Sequence, residues 1–284
     1  MIPMTANSRP LKIGGTNFDF TRPYIIGILN VTPDSFSDGG RFLNPQKAIN
    51  HALKMQDEGA DIIDIGGEST RPGSEPVDLD EELSRVIPVI EALSSRIKVP
   101  MSIDTCKSEV ARQALDAGAT MINDISGLRG DARMAGLAAE RSVPVIVMHI
   151  KGTPRTMQKN PVYEDLIGEI KSYFEEGLSI AEKAGIRKDR IILDPGIGFG
   201  KTFQDNFRII KNLAELKKLG LPINVGASRK RFLSVDNRYP ENERLEQSLA
   251  IACTAVLNGA DFVRVHDVCY TKKALWAICK IRNA

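Results

Sequence analysis

One pattern repeats along the chain: a short apolar run rich in valine and isoleucine, then a polar loop, then an amphipathic stretch that ends in glycine. Continuously apolar strands that are each followed by a helix are typical of parallel strands covered on both faces. Eight such runs occur in the 284 residues, at 24–31, 60–67, 99–105, 120–126, 143–149, 190–196, 222–228 and 260–267. Eight strand–helix units in this length predict an α/β fold, the TIM-type (β/α)8 barrel.

The stretches between the runs have the apolar spacing of helices. In residues 45–59, apolar side chains recur at 48, 49, 52, 53 and 55, close to a period of 3.6 residues. Further helices are predicted within 78–96, 108–118, 164–185 and 243–259. Glycine is expected at the left-handed position after a helix, as at Gly59, Gly118, Gly185, Gly220 and Gly259. A doubly wound open sheet is the alternative, but no G-x-G-x-x-G follows the first run.

The start of the chain and the absence of a linker bear on domain organisation. Residues 11–20 read "LKIGGTNFDF", which predicts a short N-terminal hairpin that closes the bottom of the barrel. No linker-like segment interrupts the eightfold pattern, so we expect one domain over residues 1–284.

Composition excludes several classes of protein. The formal charge of +2, without a long basic block, argues against a nucleic-acid surface and favours a local anion site. No secretory leader is visible, and no apolar run reaches the length of a membrane span. The four cysteines have no C-x-x-C spacing, which is typical of reduced thiols in a cytoplasmic protein.

An internal similarity supports the barrel. "EGADIIDIG", "AGATMINDI" and "NGADFVRVH" share one pattern, and their alignment places Asp64, Asn123 and Arg264 at equivalent points of three strands. A polar residue in mid-strand is costly to bury unless its hydrogen bonds are satisfied. We therefore expect Asp64 to face the lumen and to be bonded to neighbouring donors, where it braces the top of the barrel or orients a ligand.

Polar residues also stand where the predicted strands end. A single one of them often only caps the next helix, but in a barrel all of these ends converge on one mouth. The set comprises Asn30, the loop 68–73, Asp104, Asn123, His149, Asp194, residues 228–230, Arg264 and His266. Such a concentration of polar groups predicts a ligand site at the mouth.

One part of this set suits an anion. Arg264 and His266 are two residues apart on a strand and therefore face the same side. Together with Arg71 and Asn30 they can bind phosphate oxygens, which match the fork of arginine. The amide oxygen of Asn30 is also a ligand that Mg²⁺ accepts.

The other part suits a flat heterocycle. Asp104, Asn123 and Asp194 offer hydrogen-bond acceptors and an amide to a ring with several N–H groups. Lys230 can reach a carbonyl or a nitrogen of the same ring. We therefore predict a deep polar slot beside an outer anion site.

The segment "DPGIGFGK", residues 194–201, has a weak likeness to a phosphate-binding loop. The spacing from Gly196 does not match G-x-x-x-x-G-K-[ST], and the predicted fold is not that of such proteins. Another loop, residues 31–42, combines glycine, proline and short polar residues with a single aromatic, Phe36. We interpret it as a mobile lid that becomes ordered when the anion site is filled, although a plain disordered loop is the alternative.

The motifs together resemble those of dihydropteroate synthases. The matching segments, in family order, are "LNVTPDSFSDGG", "DIGGESTRPG", "SIDT", "IND", "DPGIGFGK", "GASRK" and "RVHDV". They extend from about Leu29 to Val268. The resemblance implies a transferase of folate biosynthesis, a target of sulfonamides, that joins para-aminobenzoate to 6-hydroxymethyl-7,8-dihydropterin diphosphate. It further implies Mg²⁺ as cofactor, a homodimer formed through helices far from the mouth, and a cytoplasmic location.

By this resemblance each predicted site residue receives a role. The pterin is expected on Asp104, Asn123, Asp194 and Lys230, and the diphosphate on Asn30, Arg71, Arg264 and His266, with Mg²⁺ at Asn30. The para-aminobenzoate site is expected to include Phe36, Thr70, Pro72, Phe199 and Ser228, with Lys230 beside it. Asp104, Lys230, Arg264 and His266 are expected to take part in catalysis. Ile197 stands where many relatives carry phenylalanine, which is the main departure.

Two other readings remain open at this stage. Pterin-binding methyltransferases would share the slot of Asp104, Asn123 and Asp194, but they would not need arginines and a histidine for diphosphate. An inactive barrel that binds a pterin or serves as a scaffold is the second alternative, and the full set of polar residues disfavours it.

Overall fold

The computed structural model describes residues 10–32, 45–234, 238–282 and 284. A hairpin comes first, with β1 (Leu11–Ile13) antiparallel to β2 (Thr16–Phe18). Eight parallel strands follow, close to the predicted apolar runs. They are β3 (Tyr24–Asn30), β4 (Ile62–Gly66), β5 (Met101–Asp104), β6 (Met121–Asp124), β7 (Val145–Met148), β8 (Ile191–Asp194), β9 (Asn224–Val225) and β10 (Phe262–Val265).

The eight strands form a barrel. Their order is β8-β7-β6-β5-β4-β3-β10-β9, with every pair parallel. A parallel bridge between Leu193 and Ile223 then joins the two ends of this order. The predicted (β/α)8 barrel is confirmed, and the open-sheet alternative is excluded.

Helices cover the outside of the barrel. They are α1 (Pro45–Glu58), α2 (Leu79–Ser94), α3 (Ser108–Ala117), α4 (Met134–Arg141), α5 (Leu166–Ala184), α6 (Phe203–Lys211), α7 (Leu213–Lys217), α8 (Leu245–Leu257) and α9 (Val268–Arg282). All five glycines predicted to follow helices have positive φ, which glycine adopts at little cost. Helices α4 and α9 were not predicted, and neither is followed by a glycine; α4 ends at Ser142 in the left-handed region.

The apolar core has two main parts. The larger lies between the strands and the surrounding helices. The smaller fills the bottom of the lumen, where Leu11, Ile13 and Phe18 of the hairpin pack against Ile62 and Phe262 of the barrel strands. The predicted closing role of the hairpin is confirmed. Among the residues described, no helix is long and apolar enough to cross a membrane.

Candidate active site

The alternation of side chains along the strands places a polar layer above the apolar bottom of the lumen. Ile62 and Met121 belong to the bottom cluster. Two residues further on, Asp64 and Asn123 point to the same side because side chains alternate along a strand. Both are almost completely buried.

Asp64 is the centre of this layer. Its carboxylate accepts hydrogen bonds from the Ser102 hydroxyl, from Asn123 Nδ2 at 2.9 Å and from Arg264 Nε at 2.5 Å. Asp64 is fully buried, so these donors replace water. The three positions that the internal similarity aligned are thus in direct contact, and the prediction that Asp64 faces the lumen and is satisfied by neighbouring donors is confirmed.

Arg264 joins this layer to Asp104. Its Nη2 lies 2.6 Å from Asp104 Oδ2, so one guanidinium bridges two carboxylates. Burial opposes the charged form of Arg264, but the charges of Asp64 and Asp104 outweigh it and raise the pKa of the guanidinium. Burial raises the pKa of Asp104 to about 7, although the charge of Arg264 works against this shift. Arg264 was expected on the anion; here it lies on the carboxylates of the deep slot, between the two predicted sub-sites.

Asp194 is the carboxylate on the opposite side of the lumen. Its Oδ1 accepts a hydrogen bond from the Gly196 N–H at 2.7 Å, and its Oδ2 accepts one from Asn224 Nδ2 at 2.6 Å. Burial raises its pKa, while the Gly196 bond and the charge of Lys230 work in the other direction. A carboxylate has about four acceptor positions, so two remain for a ligand.

The loop after Asp194 is held in place by side chains that bond its carbonyl groups. Lys230 Nζ donates to the Ile197 carbonyl, and Gln158 donates to that of Gly198 at 2.7 Å. The ammonium group of Lys230 lies 4.4 Å from the centre of the Phe199 ring, a cation–π contact. Burial lowers the pKa of Lys230 to about 8, although Asp194 opposes the shift. Asp194, Lys230 and Phe199 are therefore brought together, as predicted.

Lys201 ends this loop and is buried with His149. Its Nζ donates to His149 Nδ1 at 2.6 Å and to the His149 carbonyl at 3.2 Å. A Cβ on Gly196 would lie 1.9 Å from that carbonyl, so only glycine fits where the two segments cross. His149 was expected at the mouth, but its ring packs on Tyr173 with 4.7 Å between ring centres. Lys201 is thus hydrogen-bonded to His149 instead of being available for a phosphate, and the phosphate-loop alternative is wrong.

His266 and Ser228 form the opposite wall of the mouth. The Ser228 hydroxyl lies 3.1 Å from His266 Nδ1, and it accepts the backbone N–H of His266 at 3.2 Å. Burial lowers the pKa of His266 to about 3, and the nearby positive charges of Arg229 and Arg264 contribute. The ring is therefore neutral at pH 7 and offers hydrogen bonds instead of a positive charge.

The loop 68–73 lies at the rim of the mouth. Arg71 is 67% exposed and donates to Glu241 Oε1 at 2.9 Å, while Pro72 is also exposed. Arg71 is close enough to His266 for its charge to lower the pKa of that ring. Asn30, at the end of β3, is paired in register with Gly66 of β4, and Gly66 is paired in register with Asp104 of β5.

A cavity of about 200 Å³ opens beside Asp104. Its described lining includes Thr70, Glu82, Ile125 and Ser126, and does not include Pro72 or Phe199. Thr70 therefore lines this cavity together with Asp104, and its place in the para-aminobenzoate site stays a prediction.

Two further predicted features are the lid with Phe36 and the Mg²⁺ site at Asn30. Phe36 and residues 33–42 of the predicted lid belong to the part of the chain that the structure does not describe, so their roles stay predictions. Within the described ranges, no group of three or more histidine, cysteine, aspartate or glutamate side chains could hold a metal. Asn30 thus fits Mg²⁺ only if phosphate and water supply most ligands, as this ion often prefers.

Some residues of the site were missed from the sequence. Asn224 is a fully buried polar residue in an apolar strand, the same signal that singled out Asp64. Met148 and Ile125 form an apolar wall with Phe199. Apolar residues near strand ends carry no signal that separates such a wall from ordinary core.

Similarity to known proteins agrees with the barrel and its polar mouth. Residues 26–266 match the family described as pterin binding enzyme, and the chain belongs to this family. A dihydropteroate synthase from Synechocystis sp. is 50% identical over 277 residues, which is 97% of this chain and 94% of the relative. Within the family, this chain belongs to the dihydropteroate synthases.

Solved structures agree with this assignment. Yersinia pestis dihydropteroate synthase, solved with a sulfonamide drug complex, has a TM-score of 0.92 at 43% identity and covers 97% of this chain and 100% of its own. The Xanthomonas albilineans enzyme, solved with 4-aminobenzoic acid, has a TM-score of 0.91 at 42% identity and covers 98% and 99% of the two chains.

Proposed function

We propose a division of labour among the residues at the mouth for the reaction of this transferase. It condenses 6-hydroxymethyl-7,8-dihydropterin diphosphate with para-aminobenzoate and yields 7,8-dihydropteroate and diphosphate, a step of folate biosynthesis. The lumenal layer of Asp104, Asn123 and Asp194, with Lys230, binds the pterin. Asn30, Arg71, Arg264 and His266 bind the diphosphate.

The observation that carries this proposal is the arrangement around Asp194. Its carboxylate is buried, held by two donors from the protein, and left with unused acceptor positions towards the lumen. A pterin presents a ring N–H and an amino N–H side by side, which one carboxylate can accept together. Lys230 is close enough to Asp194 for its charge to lower the pKa of that carboxyl, so we place Lys230 beside the same ring.

The diphosphate is the leaving group in a dissociative mechanism. Its departure leaves a cation at the pterin methylene carbon, which the conjugated ring stabilises and the buried carboxylates favour. Arg71 and Arg264 offset the charge that develops on the diphosphate, and neutral His266 donates a hydrogen bond to it. The neutral amine of para-aminobenzoate then attacks the methylene carbon, and the new ammonium loses one proton to water or to the diphosphate, so no side-chain nucleophile is required.

Mg²⁺ fits this site as a partner of the diphosphate. Asn30 would supply one amide oxygen, while phosphate oxygens and water would complete the shell. When bound, the ion would neutralise charge on the leaving group.

Para-aminobenzoate is placed in the outer part of the mouth. Phe199 offers an apolar face beside Lys230, and Ser228 offers a hydroxyl on the opposite wall. Pro72 and Phe36 are expected to complete this site, and Thr70 borders it from the side of Asp104.

A homodimer in the cytoplasm completes the proposal. Helix α8 has no charged residue from Gln247 to Leu257 and lies between α6 and α9. Such a helix is usually covered, yet its Ala250 and Thr254 are exposed. Phe207 on α6 and Trp276 on α9 are also exposed, the latter at 65%. We place a second copy of the chain over this face.

The cytoplasmic location is proposed because the four free cysteines fit a reducing compartment.

The activity is tested by incubating the purified chain with both substrates and Mg²⁺ and measuring 7,8-dihydropteroate by chromatography. We expect product only when both substrates are present. A chain that binds the pterin but forms no dihydropteroate would contradict the proposed reaction and favour a pterin-binding scaffold.

A further inference from the structure

Asn224 points into the lumen of the barrel. Strand β9 is paired with β10 so that Asn224 lies opposite Phe262, and Val225 lies opposite Val263. Phe262 belongs to the lumenal cluster, whereas Val225 and Val263 pack in the outer core. Side chains of paired residues face the same side of a sheet, so Asn224 faces the lumen, where it is fully buried.

Only one half of the Asn224 amide has a partner. Nδ2 donates to Asp194 Oδ2 at 2.6 Å, and this orientation is fixed because a carboxylate accepts hydrogen bonds. Oδ1 belongs to the same planar group and therefore lies beside the carboxylate. It is inaccessible to solvent and has no hydrogen-bond partner among the described residues. A buried acceptor without a donor is rare and costly in a folded protein.

We propose that Asn224 is a further pterin-binding residue and that its Oδ1 accepts an N–H of the pterin 2-amino group. This inference rests on the proposed function. Asp194 uses the ring N–H and one N–H of the amino group, and the amino group has a second N–H to donate. Asn224 Oδ1 is the unused acceptor next to Asp194, so it selects for a ring that carries an amino group at carbon 2.

The test compares two ligands by calorimetry: 6-hydroxymethylpterin and its analogue with hydrogen in place of the 2-amino group. The wild-type chain should prefer the pterin. In Asn224→Leu, which removes the acceptor, we expect this preference to fall about tenfold or more. Both ligands present the ring N–H to Asp194, so a disturbance of that contact cancels in the ratio of affinities, which reports on the contacts of the amino group with Asp194 and Asn224.

Asn258→Leu is the matched control, since Asn258 is a partly buried asparagine that bonds the Ile210 carbonyl at the end of α8. The Asn258→Leu variant should prefer the pterin over the analogue by the same ratio as the wild-type chain. An unchanged preference in Asn224→Leu, or in Asn224→Ala if the leucine variant does not fold, would overturn the inference. Failure of both Asn224 variants to fold, with Asn258→Leu folded, would assign Asn224 to the barrel alone and overturn it too. Failure of the wild-type chain to bind the pterin would instead contradict the proposed function.

Discussion

At the scale of single residues, we expect two ionisable groups of the proposed pterin site to define the pH range of pterin binding. Asp104 has a pKa of about 7 and pairs with Arg264 only as a carboxylate, so this arrangement is lost as the pH falls below 7. Lys230 has a pKa of about 8 and loses its charge as the pH rises above 8. We expect kcat/KM for the pterin diphosphate to rise with pH up to about 7 and to fall above about 8.

The Lys230→Arg variant separates the two limbs of this profile. Arginine keeps its charge throughout the range, so the fall above pH 8 should disappear while the rise below pH 7 remains. Steady-state kinetics from pH 5.5 to 9.5 measure both. If the variant retains the same basic limb as the wild-type chain, Lys230 is not the group that titrates there.

At the scale of elements, we expect the loop between β8 and α6 to position part of the proposed site. Lys201 ties this loop to His149 at the end of β7, and the loop carries Phe199, five residues after Asp194. Lys201→Met keeps the length of the side chain but removes both hydrogen bonds. Because a small misplacement of a binding group is costly, we expect KM for the pterin diphosphate to rise about tenfold, and the KM for para-aminobenzoate to rise as well because the loop carries Phe199.

Lys217→Met is the control for this prediction. Lys217 is also a buried lysine, paired with Asp261 at the bottom of the barrel. Breaking a buried ion pair should lower the free energy of unfolding by about 3–5 kcal/mol and leave KM unchanged. Denaturant unfolding measures the free energy of unfolding of both variants, and steady-state kinetics measure their KM values. An equal rise of KM in both variants would show that Lys201 acts through stability.

The elements themselves were largely predictable, and the contacts between them were not. Apolar runs and helix-ending glycines reveal the strands and helices because they follow local periodicity. Asp64 was found because its motif recurs with Asn123 and Arg264. Asn224 carries the same kind of signal in a two-residue strand that has no repeat. The pair of Arg71 and Glu241 spans 170 positions, and no local pattern connects them.

At the scale of the whole molecule, the uncharged face of α8 predicts a dimer. Thr254 is exposed on this face, and its hydroxyl bonds the Ala250 carbonyl within the helix. Thr254→Arg should place a charge in the proposed interface and shift the chain to a monomer in sedimentation experiments. Ser84→Arg is the control, since Ser84 is an exposed hydroxyl residue on α2. A Thr254→Arg variant that stays dimeric would exclude this face.

The whole barrel is organised around its lumenal polar layer, and the most direct measurement of that role is pterin affinity in Asp194→Asn. In this variant an NH2 group, which donates hydrogen bonds, takes the place of a buried carboxylate oxygen, which accepts them. We expect calorimetry to detect no pterin binding in the folded variant, while Asp116→Asn, at an exposed aspartate of α3, binds like the wild-type chain. Pterin affinity in Asp194→Asn equal to that of the wild-type chain would contradict the assignment of this layer as the pterin site.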